Sequence, residues 1–357
     1  MLYWIFFLVI LFVFYIMYTS TLDIRKKNKY LNLFILFLVY MSAFRAGLGQ
    51  DYENYIIKMG YAIEDQILLF DEPFFTIITQ IVDKTILSPV FLFLIYAAVT
   101  IYCICRFFSD DCGEYSAIAI VIFCLMPTLF FNTFNLVRQF AATGVFFYSL
   151  RFIQQQKIIP FSLCILVATC FHLSSLVLFP LYFVLDKKFS KRVLFLVVLS
   201  GILIFPVLQQ ILSYSMIFDD RFSLYFDSSE SMGSSTMIIL YNVIGILIII
   251  KQKEFTSVQD RIAFNLFFLL ILFSDASLIT FYYYRFSIYF LPVFCYIFPK
   301  VITLYTSRRI SNAASIAMSI LLFFSLISSG VNNKKIVPEK IYSISTIVDT
   351  NFQEPKY

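Results

Sequence analysis

Long apolar runs, separated by short polar segments that hold most of the cations, restrict the fold of this sequence more than any other feature. Twelve runs approach the length of roughly 20 residues that a helix needs to cross a hydrocarbon core about 30 Å thick. Apolar residues make up 61% of the chain and charged residues 14%, whereas about a quarter of a soluble domain is charged. Because so few charges cannot cover a water-exposed surface, we predict an all-α polytopic integral membrane protein.

The predicted architecture is one transmembrane domain over residues 1–330, with about twelve helices, and an external tail over residues 331–357. The two spans on either side of His172 are short, so a broken or tilted hairpin is the alternative there. The predicted spans are Leu2–Tyr18, Tyr30–Phe44, Pro89–Phe108, Tyr115–Asn132, Val137–Ile153, Ile158–His172, Ser174–Leu185, Val193–Ser213, Met237–Ile250, Ile262–Thr280, Phe286–Val301 and Asn312–Ser329.

The distribution of Lys and Arg indicates the orientation, because cytoplasmic loops carry an excess of cations. One set of loops holds most of them, and we place that set in the cytoplasm and both chain termini outside. The cytoplasmic set is Arg25, Lys26, Lys27, Lys29, Arg106, Arg151, Lys157, Lys187, Lys188, Lys191, Arg192, Lys251, Lys253, Arg261, Lys300, Arg308 and Arg309. The external set before the tail is Arg45, Lys58, Lys84, Arg138, Arg221 and Arg285.

Two predicted external loops, at about residues 45–88 and 214–236, are longer than ordinary connections. Long loops in compact folds are usually functional. Within the first loop, Pro73–Lys84 has apolar residues at helical spacing, which predicts a short helix that begins at Pro73 and lies along the membrane interface. The cytoplasmic loops are short, and the sequence contains no nucleotide-binding motif.

Arginines are retained on the side where positive charge is disfavoured. Arg45, Arg138 and Arg285 stand at the ends of predicted spans, where an unpaired charge is costly, and Arg221 lies in the second long loop. A guanidinium group stays charged and binds phosphate oxygens through two parallel hydrogen bonds. These arginines therefore predict an anionic partner, with ion pairing to neighbouring carboxylates as the alternative for any one of them.

Cysteine and histidine content argue against a metal site. The seven cysteines lie mostly inside predicted spans and are odd in number, so they indicate no disulfide framework. The sequence has one histidine, no Asp-x-Asp, no His-x-x-His and no paired cysteines in a predicted aqueous loop, and the bare pairs Asp110–Asp111 and Asp219–Asp220 are a weak signal, so we expect no metal and no other cofactor. A bound pyrophosphate should then be neutralised by protein cations. The small net charge of +5 suggests no nucleic-acid partner.

Short motifs on the predicted external side resemble those of the EpsG-like Wzy family of O-antigen and capsular polysaccharide polymerases. They occur in the family's order between about residues 45 and 290. The residues that carry the resemblance are Arg45 with Gly49-x-Asp51-x-x-x-Tyr55, Glu72-Pro73-x-Phe75, Asn135-x-x-Arg138-Gln139, His172-x-Ser174 and Tyr284-Arg285-x-x-x-Tyr289.

The resemblance implies a GT-C-like membrane glycosyltransferase in the bacterial inner membrane, with its active face external. Such an enzyme moves a growing glycan from undecaprenyl pyrophosphate onto the non-reducing end of a lipid-linked repeat unit, and undecaprenyl pyrophosphate leaves. No metal is expected in this reaction. The expected partners are the lipid-linked oligosaccharide donor and acceptor, membrane lipids and a chain-length regulator.

Roles for individual residues follow from this reaction as hypotheses. Arginines would stabilise the leaving phosphate, and a carboxylate or histidine would accept the proton of the acceptor hydroxyl. Arg221 departs from the family's basic second loop, since four acidic residues surround it. The predicted catalytic set is His172, Asp51, Glu72, Arg138 and Arg285, and the predicted substrate-binding set is Arg45, Gly49, Tyr55, Asn135, Gln139, Tyr284 and Arg221.

Two other functional classes remain open at this point. A lipid-linked oligosaccharide flippase also often has twelve spans, but it should carry ionisable residues near the bilayer midplane, where Asp275 is the clearest example here. An O-antigen ligase uses the same lipid-pyrophosphate donor and similar arginines. A membrane acyltransferase would need a catalytic group on the cytoplasmic side, where this sequence has no histidine.

Overall fold

The computed structural model describes residues 2–20, 23–45, 49, 51–63, 72–82, 88–197, 199, 235–278 and 281–332, and within these ranges it contains helices and turns but no strand. The α-helices are α1 (Leu2–Thr19), α2 (Ile24–Ala43), α3 (Tyr52–Ile63), α4 (Pro73–Val82), α5 (Ser88–Asp111), α6 (Ser116–Leu125), α7 (Val137–Gln154), α8 (Ile158–Phe171), α9 (Ser235–Ile250), α10 (Val258–Ala276), α11 (Phe281–Ile288), α12 (Phe294–Thr303) and α13 (Arg308–Asn332).

The chain divides into two compact units. The first comprises Met1–Arg151, Ile159–Phe179 and Asn312–Tyr357, and the second comprises Phe152–Ile158 and Pro180–Ser311. In the first unit, α5 packs against α2, α4 and α6, while α1 packs against α2 and α6. In the second, α10 packs against α9, α11 and α12. Both units bury apolar side chains between helices, so each has a core of its own.

Helix α6 lies at the centre of the first unit. All ten of its residues are buried. A helix that is apolar on every face is stable only when other elements cover all of those faces. The aromatic side chains Phe123, Phe130, Phe131 and Phe134, from α6 and the segment after it, pack against one another in mainly edge-to-face arrangements.

One helix among the described residues, Pro89–Asp111, is long and apolar enough to cross a membrane by length and composition alone. It corresponds to the predicted third span. Helix α4 begins at Pro73, as its sequence predicts, because proline fits the first helical position, where its missing N–H leaves no hydrogen bond unmade. Its buried residues Phe75, Thr76, Thr79 and Val82 follow helical spacing and form one face.

The prediction of twelve continuous spans is wrong at three places. The predicted span Tyr115–Asn132 breaks after α6, where Met126 adopts an extended conformation before Pro127, and a 3₁₀ turn follows at Phe131–Phe134. The predicted span Phe286–Val301 breaks between α11 and α12 at the 3₁₀ turn Leu291–Val293, because Pro292 supplies no backbone donor.

The third place is the predicted span Ser174–Leu185, which is a 3₁₀ helix over Leu173–Phe183. The alternative of a broken hairpin around His172 therefore describes this region better than two full spans. Most of the predicted span Val193–Ser213 lies outside the described residues, as do the loop around Arg221 and the tail from residue 333 onward.

Candidate active site around Glu72

A carboxylate at the start of α4 binds two basic side chains from distant parts of the first unit. The Nη1 atom of Arg138 donates to Oε2 of Glu72 and forms an ion pair with it. The other carboxylate oxygen, Oε1, lies 2.5 Å from Nδ1 of His172. The side chains of Arg138, Glu72 and His172 are 22%, 11% and 22% exposed, so the network can be reached from outside.

Three element boundaries bring these side chains together. Glu72 directly precedes α4, where the amide of Phe75 donates to its carbonyl oxygen. Arg138 is the second residue of α7. His172 stands between the last residue of α8 and the first residue of the 3₁₀ helix. Functional side chains at such boundaries are held by helices yet remain close to the surface.

Aromatic rings surround the Arg138 guanidinium. Its Cζ atom lies 5.6 Å from the centre of the Tyr55 ring and 5.4 Å from that of Phe75. Arg138 and Tyr55 also share a side-chain hydrogen bond. Guanidinium carries five N–H donors, and Nε makes no hydrogen bond with any described residue. Arg138 therefore keeps donor capacity beyond the contacts to Glu72 and Tyr55.

Tyr96 of α5 also belongs to this cluster, although sequence reasoning missed it. Its ring packs edge-on against Phe171, the residue before His172, at a centroid distance of 5.3 Å. Its hydroxyl is buried, interacts electrostatically with Glu72 and Arg138, and forms no hydrogen bond with any described residue. Its position in an otherwise apolar span could have identified Tyr96 from the sequence. A buried phenol usually has a hydrogen-bond partner, so a tyrosine there indicates a nearby polar group.

Arg45 is buried rather than open to a phosphate. It is 3% exposed, and its Nη2 donates to the carbonyl oxygen of Phe134 at 3.1 Å while Nη1 donates to that of Ser42. Its Cζ lies 4.2 Å from the centre of the Phe93 ring. Burial lowers the pKa of this guanidinium to about 10. In this structure Arg45 thus binds backbone oxygens, and its contact with substrate stays a prediction.

Tyr55 lies between the buried Arg45 and the half-buried Arg138. Its ring packs edge-on against Phe93 at 6.1 Å, and Phe93 lies beneath Arg45. Burial raises the pKa of the Tyr55 phenol, so the hydroxyl stays protonated and able to donate a hydrogen bond. A continuous packed path thus runs from Arg45 through Phe93 and Tyr55 to Arg138.

Gly49 and Asn135 form a tight contact beside this path. Gly49 has φ +107°, a conformation that side chains rarely adopt. A Cβ atom there would lie 3.0 Å from both Oδ1 of Asn135 and the carbonyl oxygen of Phe134. Because α7 begins at Val137, Asn135 precedes the helix and does not share a helical turn with Arg138. Gly49 and Asn135 therefore approach each other closely in this structure, and their role in substrate binding stays a prediction.

The remaining predicted residues occupy varied surroundings. Asp51 is half-buried just before α3, and its Oδ1 accepts a hydrogen bond from Nδ2 of Asn54 at 3.4 Å. Gln139 is buried on α7 beside Arg138. Tyr284 and Arg285 are half-buried on α11, in the second unit. Arg221 lies outside the described residues.

The Glu72 network has the composition of a proton-transfer and anion-binding site. When Glu72 is ionised and His172 is neutral, Nδ1–H of the imidazole donates to Oε1 and the lone pair is on Nε2. This arrangement orients a general base, and Arg138 supplies positive charge on the opposite carboxylate oxygen. No group of three or more His, Cys, Asp or Glu side chains that could hold a metal ion occurs among the described residues.

Comparison with known proteins identifies a family. The sequence matches the EpsG family over residues 28–341, which is nearly the whole chain. No curated protein and no solved structure matches it significantly. The match includes both units and every residue of the Glu72 network, and it confirms the resemblance that the short motifs indicate. This helical, strongly apolar membrane protein therefore belongs to the EpsG family.

Proposed function

We propose that this chain is a polysaccharide repeat-unit polymerase of the O-antigen or capsular type, with the Glu72 network as its catalytic centre. Membership of the EpsG family supports a polymerase-type glycosyltransferase. The observation that carries the proposal is that one carboxylate binds both a histidine and an arginine in a partly exposed site. A base and a phosphate-binding cation are the two groups that glycosyl transfer from a lipid pyrophosphate needs.

In the proposed reaction, the donor is a growing glycan on undecaprenyl pyrophosphate and the acceptor is a lipid-linked repeat unit. Nε2 of His172 accepts the proton of the acceptor hydroxyl while that oxygen attacks the anomeric carbon. The bond from the anomeric carbon to the pyrophosphate oxygen breaks, and its electron pair stays on that oxygen. Undecaprenyl pyrophosphate then leaves.

Glu72 and Arg138 support this step in different ways. Glu72 holds Nδ1–H of His172, which leaves Nε2 free to act as the base and stabilises the imidazolium that forms. The Arg138 side chain is partly exposed, so its guanidinium would stabilise the charge that develops on the leaving phosphate. Removal of one such preorganised donor typically lowers kcat by about 10²–10³-fold.

Two hydroxyl groups lie beside the network. The buried Tyr96 hydroxyl lies close to Glu72 and Arg138, has no described hydrogen-bond partner and is closed to solvent in this structure. The Tyr55 hydroxyl shares a hydrogen bond with Arg138. Tyr55 would therefore act on substrate by positioning the Arg138 guanidinium. Asp51 remains a second candidate for the base, and Arg285 a second candidate for the phosphate.

The proposal extends to architecture and location. We place the chain in the bacterial inner membrane as a GT-C-like protein of about twelve membrane segments, some of them broken. Its active face and both termini would be external, since the cation-rich loops belong in the cytoplasm. Membrane lipids and a chain-length regulator are the proposed partners besides the lipid-linked glycans.

A reconstitution experiment tests the function. The purified protein in liposomes is supplied with one lipid-linked repeat unit and no other acceptor, and the products are separated by length. A polymerase lengthens the glycan on its lipid. A ligase leaves the lipid-linked glycan unchanged until lipid A core is added. A flippase changes only the leaflet in which the lipid-linked glycan is found. Either of these results would contradict the proposal.

A further inference from the structure

The second unit contains a cavity of about 350 Å³ that lies apart in sequence from the Glu72 network. Four cationic side chains line it: Lys187 and Lys188 from the segment before residue 191, Lys253 from the 3₁₀ turn between α9 and α10, and Arg261 from the first turn of α10. Its volume is within the range of small-ligand pockets. All four belong to the set that the sequence places in the cytoplasm.

The cavity has a positive charge that its own acidic neighbours do not cancel. Nη2 of Arg261 lies 2.7 Å from Oδ1 of Asp186, so those two charges neutralise each other. The nearby carboxylate of Asp260 is paired with Lys300. Within the described part of the chain, Lys187, Lys188 and Lys253 form no ion pair. Glu254 follows Lys253 in the same 3₁₀ turn, but no carboxylate is among the described residues that line the cavity. Three lysine charges against one adjacent carboxylate leave a net positive charge for an anionic ligand.

Hydrogen bonds between side chains and backbone hold the two cationic segments together. Nδ2 of Asn265 donates to the carbonyl oxygens of Leu185 at 2.7 Å and Lys187 at 2.9 Å. Nε2 of Gln252 donates to the carbonyl oxygen of Phe189 at 2.6 Å. These bonds fix the segments that carry the lysines, so the cavity is a formed feature of the fold.

The cavity combines a cationic rim with an apolar lining. The aromatic side chains Phe189, Phe255 and Phe264 line it together with the lysines. Exposed apolar side chains precede both cationic segments in the chain: Phe183 is 54% exposed and Ile250 is 59% exposed. Because such side chains face lipid in a membrane protein, a cavity only a few residues away from them along the chain is expected near the lipid headgroups.

We propose that this cavity binds the headgroup of an anionic membrane phospholipid, with its phosphate between the three lysines. Basic pockets at the cytoplasmic side of membrane helices bind anionic lipid headgroups, and each lysine near such a surface strengthens the attraction. The aromatic lining would contact the glycerol and the first acyl carbons. The proposal concerns the second unit alone and holds whether or not the chain polymerises glycans.

Lipid binding to the full-length protein tests this proposal. Purified protein in detergent is mixed with equal amounts of phosphatidylglycerol and phosphatidylcholine, and the bound lipid is quantified by native mass spectrometry. The wild-type protein should retain phosphatidylglycerol preferentially. The triple variant Lys187→Gln, Lys188→Gln, Lys253→Gln should bind it at least about tenfold more weakly, and the corresponding triple Lys→Arg variant should bind it as the wild-type protein does.

A matched control removes the same number of charges elsewhere on the predicted cytoplasmic side. Lys26, Lys29 and Lys157 are exposed, and their joint change to glutamine should leave the preference unchanged. Equal loss in this control would show that overall charge, and not the cavity, governs binding, and would overturn the proposal. Displacement of the lipid by millimolar inorganic phosphate, but not by sodium chloride of equal ionic strength, would also overturn it in favour of a soluble phosphate ligand.

Discussion

Oε1 of Glu72 and Nδ1 of His172 lie 2.5 Å apart, although a hundred residues separate them in the chain. The second oxygen of the same carboxylate binds Arg138. One acidic side chain thus fixes the position of a base and of a cation at the same time. Its loss would disturb both, so the three residues should act as a unit in catalysis.

Replacement of His172 tests the proposed base. We expect His172→Ala to lower the polymerisation rate by about 10²–10⁴-fold, the usual contribution of general base catalysis. The measurement is elongation of a lipid-linked repeat by purified protein in liposomes. Cys170→Ala, two residues earlier on α8, is the control and should remain active. If His172→Ala keeps full activity, the base is another residue, with Asp51 as the next candidate.

The double variant Glu72→Gln, His172→Ala distinguishes a joint role from two separate ones. If Glu72 acts by orienting His172, its change should add little to the loss already caused by His172→Ala, because effects within one catalytic unit are not additive. The measurement is the ratio of the double variant's rate to that of His172→Ala alone. If the rate reduction in the double variant equals the product of the reductions in the two single variants, Glu72 does not act by orienting His172. Its contribution would then come from its contact with Arg138.

Arg138 and Arg151 offer a matched pair on one helix. Arg138 is in the first turn of α7 and pairs with Glu72, whereas Arg151 is in the last turn and lies 3.3 Å from a carboxylate oxygen of Asp110. We expect Arg138→Ala to lower the rate by about 10²–10³-fold and to accumulate single-repeat lipid-linked glycan in cells. Arg151→Ala should leave chain length normal, and equal loss in both variants would indicate a general effect on folding.

Arg45 should affect stability more than turnover. Arg45→Met keeps the length of the side chain but removes the donors that bind the backbone oxygens of Ser42 and Phe134. Hydrogen bonds from charged groups contribute about 1.5–3 kcal/mol each, so the melting temperature in detergent should fall clearly. Arg106→Met is the control: in the wild-type protein the half-buried Arg106 donates through Nη2 to Oδ1 of Asn32 and not to a backbone oxygen. Normal stability with lost activity would restore Arg45 as a direct substrate contact.

Gly49→Ala should disturb the loop beside the site. The φ of +107° strains an alanine, and its Cβ would meet Asn135 and the backbone oxygen of Phe134 at 3.0 Å. Strained backbone conformations cost about 1–3 kcal/mol. Gly113→Ala is the control, because Gly113 also has a positive φ, +51°, but open space around it. Melting temperatures should fall more for Gly49→Ala, and equal decreases would mean that the contact with Asn135 is unimportant.

Sequence patterns predict the helical class and many helix positions in this protein. They do so because the length of an apolar run and the position of a proline determine helix formation within the same stretch of chain. Pro73 begins α4 as expected, and the predicted span from Pro89 corresponds to a long apolar helix. The breaks at Pro127 and Pro292 were missed because hydropathy continues through both prolines. Whether a proline bends or ends a buried segment depends on tertiary contacts that the sequence does not display.

The sequence predicts in part which residues belong to the candidate site, but it does not predict their contacts, because those depend on tertiary packing. The sequence predicts Arg138 and Arg45 equally as phosphate-binding residues, because both are cations at the ends of predicted spans on the side where positive charge is disfavoured. Hydropathy contains no information that distinguishes the two. Their difference arises from Phe93 and Phe134, which cover Arg45. The contact between Glu72 and His172 depends on how α4 and α8 pack, and a single sequence contains no information on that distance.

The complete burial of α6 has a consequence for how the protein is made. Ten residues extend about 15 Å, half the thickness of the hydrocarbon core, so this helix is too short to be inserted as an independent segment. The helices that pack on it, α1 and α5, both precede it in the chain and leave the ribosome first. A truncated chain that ends after Leu125 and has been released from the ribosome should therefore already hold α6 against α1 and α5, whereas the same chain without α1 should leave α6 accessible to proteases.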